Sequence, residues 1–134
     1  MIARIWRGWA PQATADDYQR HYETEVSRHL SGVDGFRGAR LLRRDDGPEV
    51  MFTSIVFFTS LDAVRAFAGD DCERAVVEPA ARRALSRWDE RVGHHDVAVD
   101  LAPDPGMAVV LAASTQPGRG PAAGHQPGRW AGRW

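Results

Sequence analysis

VMFTSIVFFTSLDAVRAFA, residues Val50 to Ala68, contains a change of period that decides the fold. Val50 to Thr59 is rich in β-branched and aromatic residues and reads as a strand, and at Ser60 the pattern turns helical, with Leu61, Val64, Phe67 and Ala68 on one face. The strand is apolar on both sides: Val50, Phe52, Val56 and Phe58 on one, Met51, Ile55 and Phe57 on the other. Such a strand must be covered on both sides. In a chain of 134 residues its own helices supply one cover, and a second subunit is the expected source of the other.

Working outward, Ile2 to Trp9 reads as a first strand, with Ile2, Arg4 and Trp6 on one side and Ala3, Ile5, Arg7 and Trp9 on the other. Ala10-Pro11 closes it. A helix is expected from Thr14, with Asp17 completing an approximate capping box. Tyr18, Tyr22, Val26 and Leu30 form its core stripe, and it ends near Ser31-Gly32. Gly35 to Asp45 reads as the second strand, and Asp45-Asp46-Gly47-Pro48 as a hairpin turn into the strand at Val50. After the Ser60 helix and Gly69-Asp70-Asp71, a further helical stretch interrupted or restarted at Pro79 shows Val77, Ala81, Ala84, Leu85 and Trp88 on one face. Val92 to Leu101 reads as a fourth strand. The order is β-α-β-β-α-β, an α+β, ferredoxin-like arrangement with a four-stranded antiparallel sheet.

Residues 1–101 make one domain. Residues 102–134 hold five of the eight prolines and six of the 13 glycines, and read as a Pro/Gly-rich flexible tail in which Met107 to Ala113 is the one candidate edge strand. A single cysteine, Cys72, excludes an internal disulfide framework or a zinc ribbon, and its acidic neighbours Asp70, Asp71 and Glu73 argue against an activated thiolate. All 17 basic residues are arginine, set against 18 acidic ones, so no basic footprint for nucleic acid exists. MIARIWRGW lacks a signal-peptide layout, and no run of 18 apolar residues occurs, so a soluble cytoplasmic protein without membrane contact is expected.

MIARIWRGW, GFRGARLLRR, FTSLDAVRAFAGDD and ERAVVEPAARRALSRWDERVGHHDV together resemble the antibiotic biosynthesis monooxygenase-like family of dimeric α/β barrels, over residues 1–101. The resemblance implies a homodimer of two four-stranded sheets, with a pocket in each subunit between sheet and helices. It implies one of three activities: oxidation of anthrone-type aromatics to quinones by molecular oxygen without metal or flavin, binding and degradation of haem, or none. In the haem branch the iron ligand is a histidine in the segment that is Asp71 to Val77 here, which has none, and Trp6 stands where that branch carries asparagine. Haem binding is therefore not expected. The expected cofactor is none, and the expected partners are a small aromatic substrate and oxygen.

Oxygenation without a cofactor requires a base, a cation or hydrogen-bond donor for the developing oxyanion, and a flat pocket that excludes water. His94 and His21 are the candidate bases, Arg4 the cation and Tyr22 a phenol donor. Trp6, Tyr18, Phe52, Ser54, Val56 and Phe58 are the candidate substrate-binding residues. Each has a plainer alternative: His21 as a surface residue bonded to Glu25, His94 as a structural hydrogen bonder, Arg4 or Arg40 as a subunit bridge, the aromatics as ordinary core. His29 near its helix end is explained as a dipole-stabilised cation. His21, Glu25 and His29 do not make a metal site, because the outer two lie about 12 Å apart along a helix. His94 and His95 point to opposite faces. An oxygenase, a non-oxidative binding or accessory protein, and a cyclase or isomerase all fit this set.

Overall fold

The computed structural model describes residues 1–103; the tail strand proposed at Met107 to Ala113 lies outside them. β1 (Ile2–Pro11) leads through a short 3-10 turn (Gln12–Thr14) into α1 (Ala15–His21), a π-helical turn (Tyr22–Val26) and α2 (Ser27–Ser31). β2 (Phe36–Asp46), β3 (Glu49–Phe58), α3 (Leu61–Ala68), α4 (Pro79–Ala84), β4 (Arg87–Trp88) and β5 (Gly93–Asp96) follow. The sheet is antiparallel in the order β2-β3-β1-β4, and β5 pairs with the same edge of β1 as β4. Four lanes in this order are the ferredoxin-like β-α-β-β-α-β topology that the sequence predicts.

The two faces of β3 separate by parity. Val50, Phe52, Ser54, Val56 and Phe58 are all fully buried against the helices, while Met51, Thr53, Ile55 and Phe57 are half-buried on the outer face. On β1 the inner set is Arg4, Trp6 and Ala10. The outer face carries Trp9, whose ring is flanked by the guanidinium of Arg87 at 4.0 Å and that of Arg7 at 5.4 Å, and whose indole donates to Asp46.

The π turn has its cause in the stripe Tyr18, Tyr22, Val26, Leu30. A four-residue step overshoots a 3.6-residue turn by about 40°, so a regular helix would carry the last members off the core. The wider i→i+5 turn takes up that excess, and all four side chains are buried.

Ser60 caps α3 as expected, accepting from the Ala63 N–H. Thr14 does not cap α1; its hydroxyl donates to the Ala84 carbonyl and ties the start of α1 to the end of α4. Of the two expectations for Pro79 the restart holds: it opens α4. The larger correction concerns the last strand. The helical face extrapolated to Trp88 stops at Ala84, and Leu85 is already extended. Ser86 N–H donates to the Trp9 carbonyl and Asp89 N–H to that of Arg7, which draws residues 86–89 onto β1. Residues 90–92 then leave the sheet to bond the loop after α3, through Ala75 N–H to Glu90 O and Val92 N–H to Glu73 O. The chain rejoins β1 at Gly93 with its register shifted by two residues. The fourth lane is therefore broken, and its second half ends at Asp96, not Leu101.

Gly35 occupies φ +92°, and a Cβ there would stand 2.5 Å from the Thr59 hydroxyl. Glycine is required both for that backbone region and for the close approach of the helix-to-strand turn to β3. Among the described residues, no helix is long and apolar enough to cross a membrane.

Candidate functional site

Two polar pairs stand inside the apolar inner face. In the lane register, Arg4 lies between Val56 and His94, and Trp6 lies beside Ser54. Side chains two apart on one strand face are about 7 Å apart, so the Arg4–His94 row and the Ser54 row are neighbours.

In the first row the Arg4 side chain is fully buried. Its Nη1 donates to the Cys72 carbonyl and to His94 Nε2, the latter at 2.8 Å, and its guanidinium lies 5.9 Å from the centre of the Phe67 ring. Guanidinium has only donors, so His94 Nε2 must accept, and the proton of the neutral imidazole sits on Nδ1. Burial lowers the Arg4 guanidinium from 12.5 to about 10, partly opposed by Cys72. Burial, then the Arg4 charge, holds His94 below 6.5, with Glu73 opposing. The row is thus a cation bonded to a neutral base at pH 7, an arrangement whose desolvation cost marks it as a candidate site.

In the second row, Tyr22 Oη and Ser54 Oγ are 2.6 Å apart, and both residues are fully buried. Burial raises the Tyr22 phenol well above its ordinary value against the opposing effect of Ser54. Tyr22 is accordingly a hydrogen-bond donor or acceptor and not a base at working pH. Replacing it by phenylalanine strands the Ser54 hydroxyl and should cost about 1–3 kcal/mol, whereas the Tyr22→Phe/Ser54→Ala double variant should recover most of that. Denaturant melts of the three proteins check this.

The other predicted residues are placed as follows. Trp6 is buried and its indole donates to the Asp89 carbonyl at 2.7 Å. Tyr18 packs on Phe52 with ring centres 4.9 Å apart, and Phe58 on Phe67 at 5.8 Å. Trp6, Tyr18, Phe52, Val56 and Phe58 all belong to the central core cluster. His21 sits with Tyr18, 6.4 Å between ring centres, and near Glu78 rather than in the Arg4–His94 row. It is buried, not the surface partner of Glu25, which Arg28 engages at 2.8 Å instead. Its Nε2 has no hydrogen-bond partner among the described residues. Burial holds it below 6.5, with Glu78 and Glu25 opposing. His29 is paired with Glu78 at 3.3 Å. Among the described residues, no group of three or more His, Cys, Asp or Glu side chains could hold a metal. The sequence reading missed the Cys72 carbonyl, a backbone acceptor that no residue type announces.

His21 and His94 carry a linked prediction. Both have folded-state values below the unfolded 6.5, so the unfolded chain binds protons first as pH falls. Their contribution to stability is complete above pH 6.5 and declines below it. Melting temperature should fall from pH 7 to pH 5.5, and His21→Phe should flatten that limb.

No family profile matches the chain, and no curated protein is similar enough in sequence to be paired with it. Solved structures do share the fold. A variant of SnoaB, a cofactor-independent oxygenase from Streptomyces nogalater, superposes with a TM-score of 0.55 at 17% identity, over 76% of this chain and 97% of that one. A variant of MhuD, from Mycobacterium tuberculosis, with two manganese protoporphyrin IX per active site gives 0.56 at 16% identity, over 77% and 100%. At these identities the likeness establishes the fold alone, a ferredoxin-like β-α-β-β-α-β chain.

Proposed function

We propose that this chain is a cytoplasmic, homodimeric, cofactor-independent oxygenase of an anthrone-like aromatic. The observation that carries the reading is the buried Arg4 guanidinium bonded to neutral His94, one strand row from the Tyr22–Ser54 hydroxyls. The fold shared with SnoaB supports it. In the proposed reaction Arg4 exchanges His94 Nε2 for the substrate oxygen, and the freed Nε2 accepts the proton released on enolisation. The guanidinium stabilises the resulting anion in a water-poor site. The electron-rich anion then reduces oxygen: the ring methylene loses two hydrogens and gains one oxygen atom, and the second oxygen leaves as water. The half-buried outer face with Met51, Ile55 and Phe57 is the surface that the second copy would cover.

The test is oxygen uptake with a panel of anthrones in chelator-treated buffer. One oxygen consumed per quinone formed is expected, and no uptake on any of the panel would overturn the reading. The complete burial of Trp6, Phe52 and Phe58 favours a second reading, in which the inner face binds or isomerises its ligand without oxygen. Turnover of an aromatic ketone under nitrogen would select it.

A further inference from the structure

The break in the fourth lane creates a feature that the proposed reaction does not use. Between the loop after α3, the end of α4 and residues 88–91 lies an open cavity of about 460 Å³. Its apolar wall is Trp88 with Ala75 and Val77. Arg82 is fixed over that wall: its Nε donates to the Val77 carbonyl at 2.8 Å, and its guanidinium lies 6.0 Å from the centre of the Trp88 ring.

Two further arginines meet across the cavity in an unusual way. Arg74 and Arg91 form an isolated antiparallel bridge, directly opposite each other, and both line the cavity. Like charges in that relation are destabilising unless an anion lies between them. Arg91 has a loose contact with Asp71 at 3.7 Å, both side chains largely exposed, so the pair neutralises little. Among the described residues no hydrogen bond or ion pair engages the Arg74 guanidinium. Glu90 is the second acid of the lining. Three guanidinia against two carboxylates leave the cavity with an excess of one positive charge.

We propose that this cavity is a binding site for an aromatic monoanion, its ring against Trp88 and its carboxylate or phenolate between Arg74 and Arg91. The volume suits a ligand of two or three fused rings, and a planar fork is the group that best receives a carboxylate. Neither Arg4 nor His94 lines the cavity, although the loop that supplies Asp71 and Arg74 to it also supplies the Cys72 carbonyl to Arg4, and the proposal does not depend on the oxygenase reading.

Calorimetric titration with 2-naphthoate, and with the neutral 2-naphthalenemethanol, tests it on the full chain. The wild type should bind naphthoate at least tenfold more tightly than the alcohol, with the difference shrinking as salt rises. Arg74→Gln should abolish the difference, and Arg74→Lys should retain part of it. Because Arg74→Gln also relieves the opposition to Arg91, its melting temperature without ligand should equal or exceed that of the wild type. Equal affinity for the two probes, no saturable binding, or naphthoate binding lost in Arg4→Gln but kept in Arg74→Gln would each overturn the proposal. The last result would put the ligand on the inner face.

Discussion

Replacing Arg4 by glutamine is expected to lower anthrone turnover about 100- to 1000-fold, the range for removing one donor from a developing oxyanion. Glutamine keeps a donor of similar polarity but loses the charge, so the deficit should fall mainly on kcat. A second consequence separates a catalytic from a scaffolding role. After burial, the Arg4 charge is the largest of the causes that hold His94 down. Its removal should therefore move the acid limb of kcat/KM to higher pH. A purely structural arginine would change the amount of active protein and leave that limb where it was. Stability should not collapse in parallel, because burial opposes the charged form at this position and Arg4→Gln relieves that cost while keeping a donor for the Cys72 carbonyl.

His94→Gln is expected to cost about 100- to 10,000-fold, the span associated with losing a positioned general base. With the imidazole present, kcat/KM should rise with pH through a midpoint below 6.5 and stay flat above it, since the base must be neutral to act. In His94→Gln that limb should vanish, leaving a low rate without a step in this range. Stopped-time assays from pH 5 to 8 distinguish the two proteins. His21→Gln provides the contrast: His21 lies by Tyr18 and Glu78, away from the Arg4 row. Its loss should alter the stability limb below pH 6.5 and spare the catalytic one.

Much of the fold was legible because strand parity is a local property. Val50 to Phe58 alternates without interruption, so one phase assignment divided Phe52, Ser54, Val56 and Phe58 from Met51, Ile55 and Phe57, and their burial follows that division. The same rule put His94 and His95 on opposite faces, but that His94 is the one facing Arg4 depends on a register that no single segment contains. The break in the fourth lane was not legible. Val77, Ala81, Ala84, Leu85 and Trp88 do carry helical spacing, but the chain is drawn out after Ala84 by carbonyls of β1 and by the loop at residues 73–75. Those partners are remote in sequence. His21 misled for a different reason: four residues from Glu25, it looked like one half of a surface pair, yet it also lies three residues from Tyr18 in α1 and is buried with it. The Cys72 carbonyl and the Arg74–Arg91 bridge were invisible because both rest on where backbone groups meet.

The central claim is that Arg4 and His94 form one prearranged unit in which a neutral imidazole accepts from a guanidinium. Nitrogen-15 NMR of histidine-labelled protein tests this most directly. At pH 7 the His94 ring should show a protonated Nδ1 and a bare, hydrogen-bonded Nε2, and should titrate below 6.5; in Arg4→Gln its titration should move upward. A His94 imidazolium at pH 7, or a neutral ring with its proton on Nε2, would contradict the account.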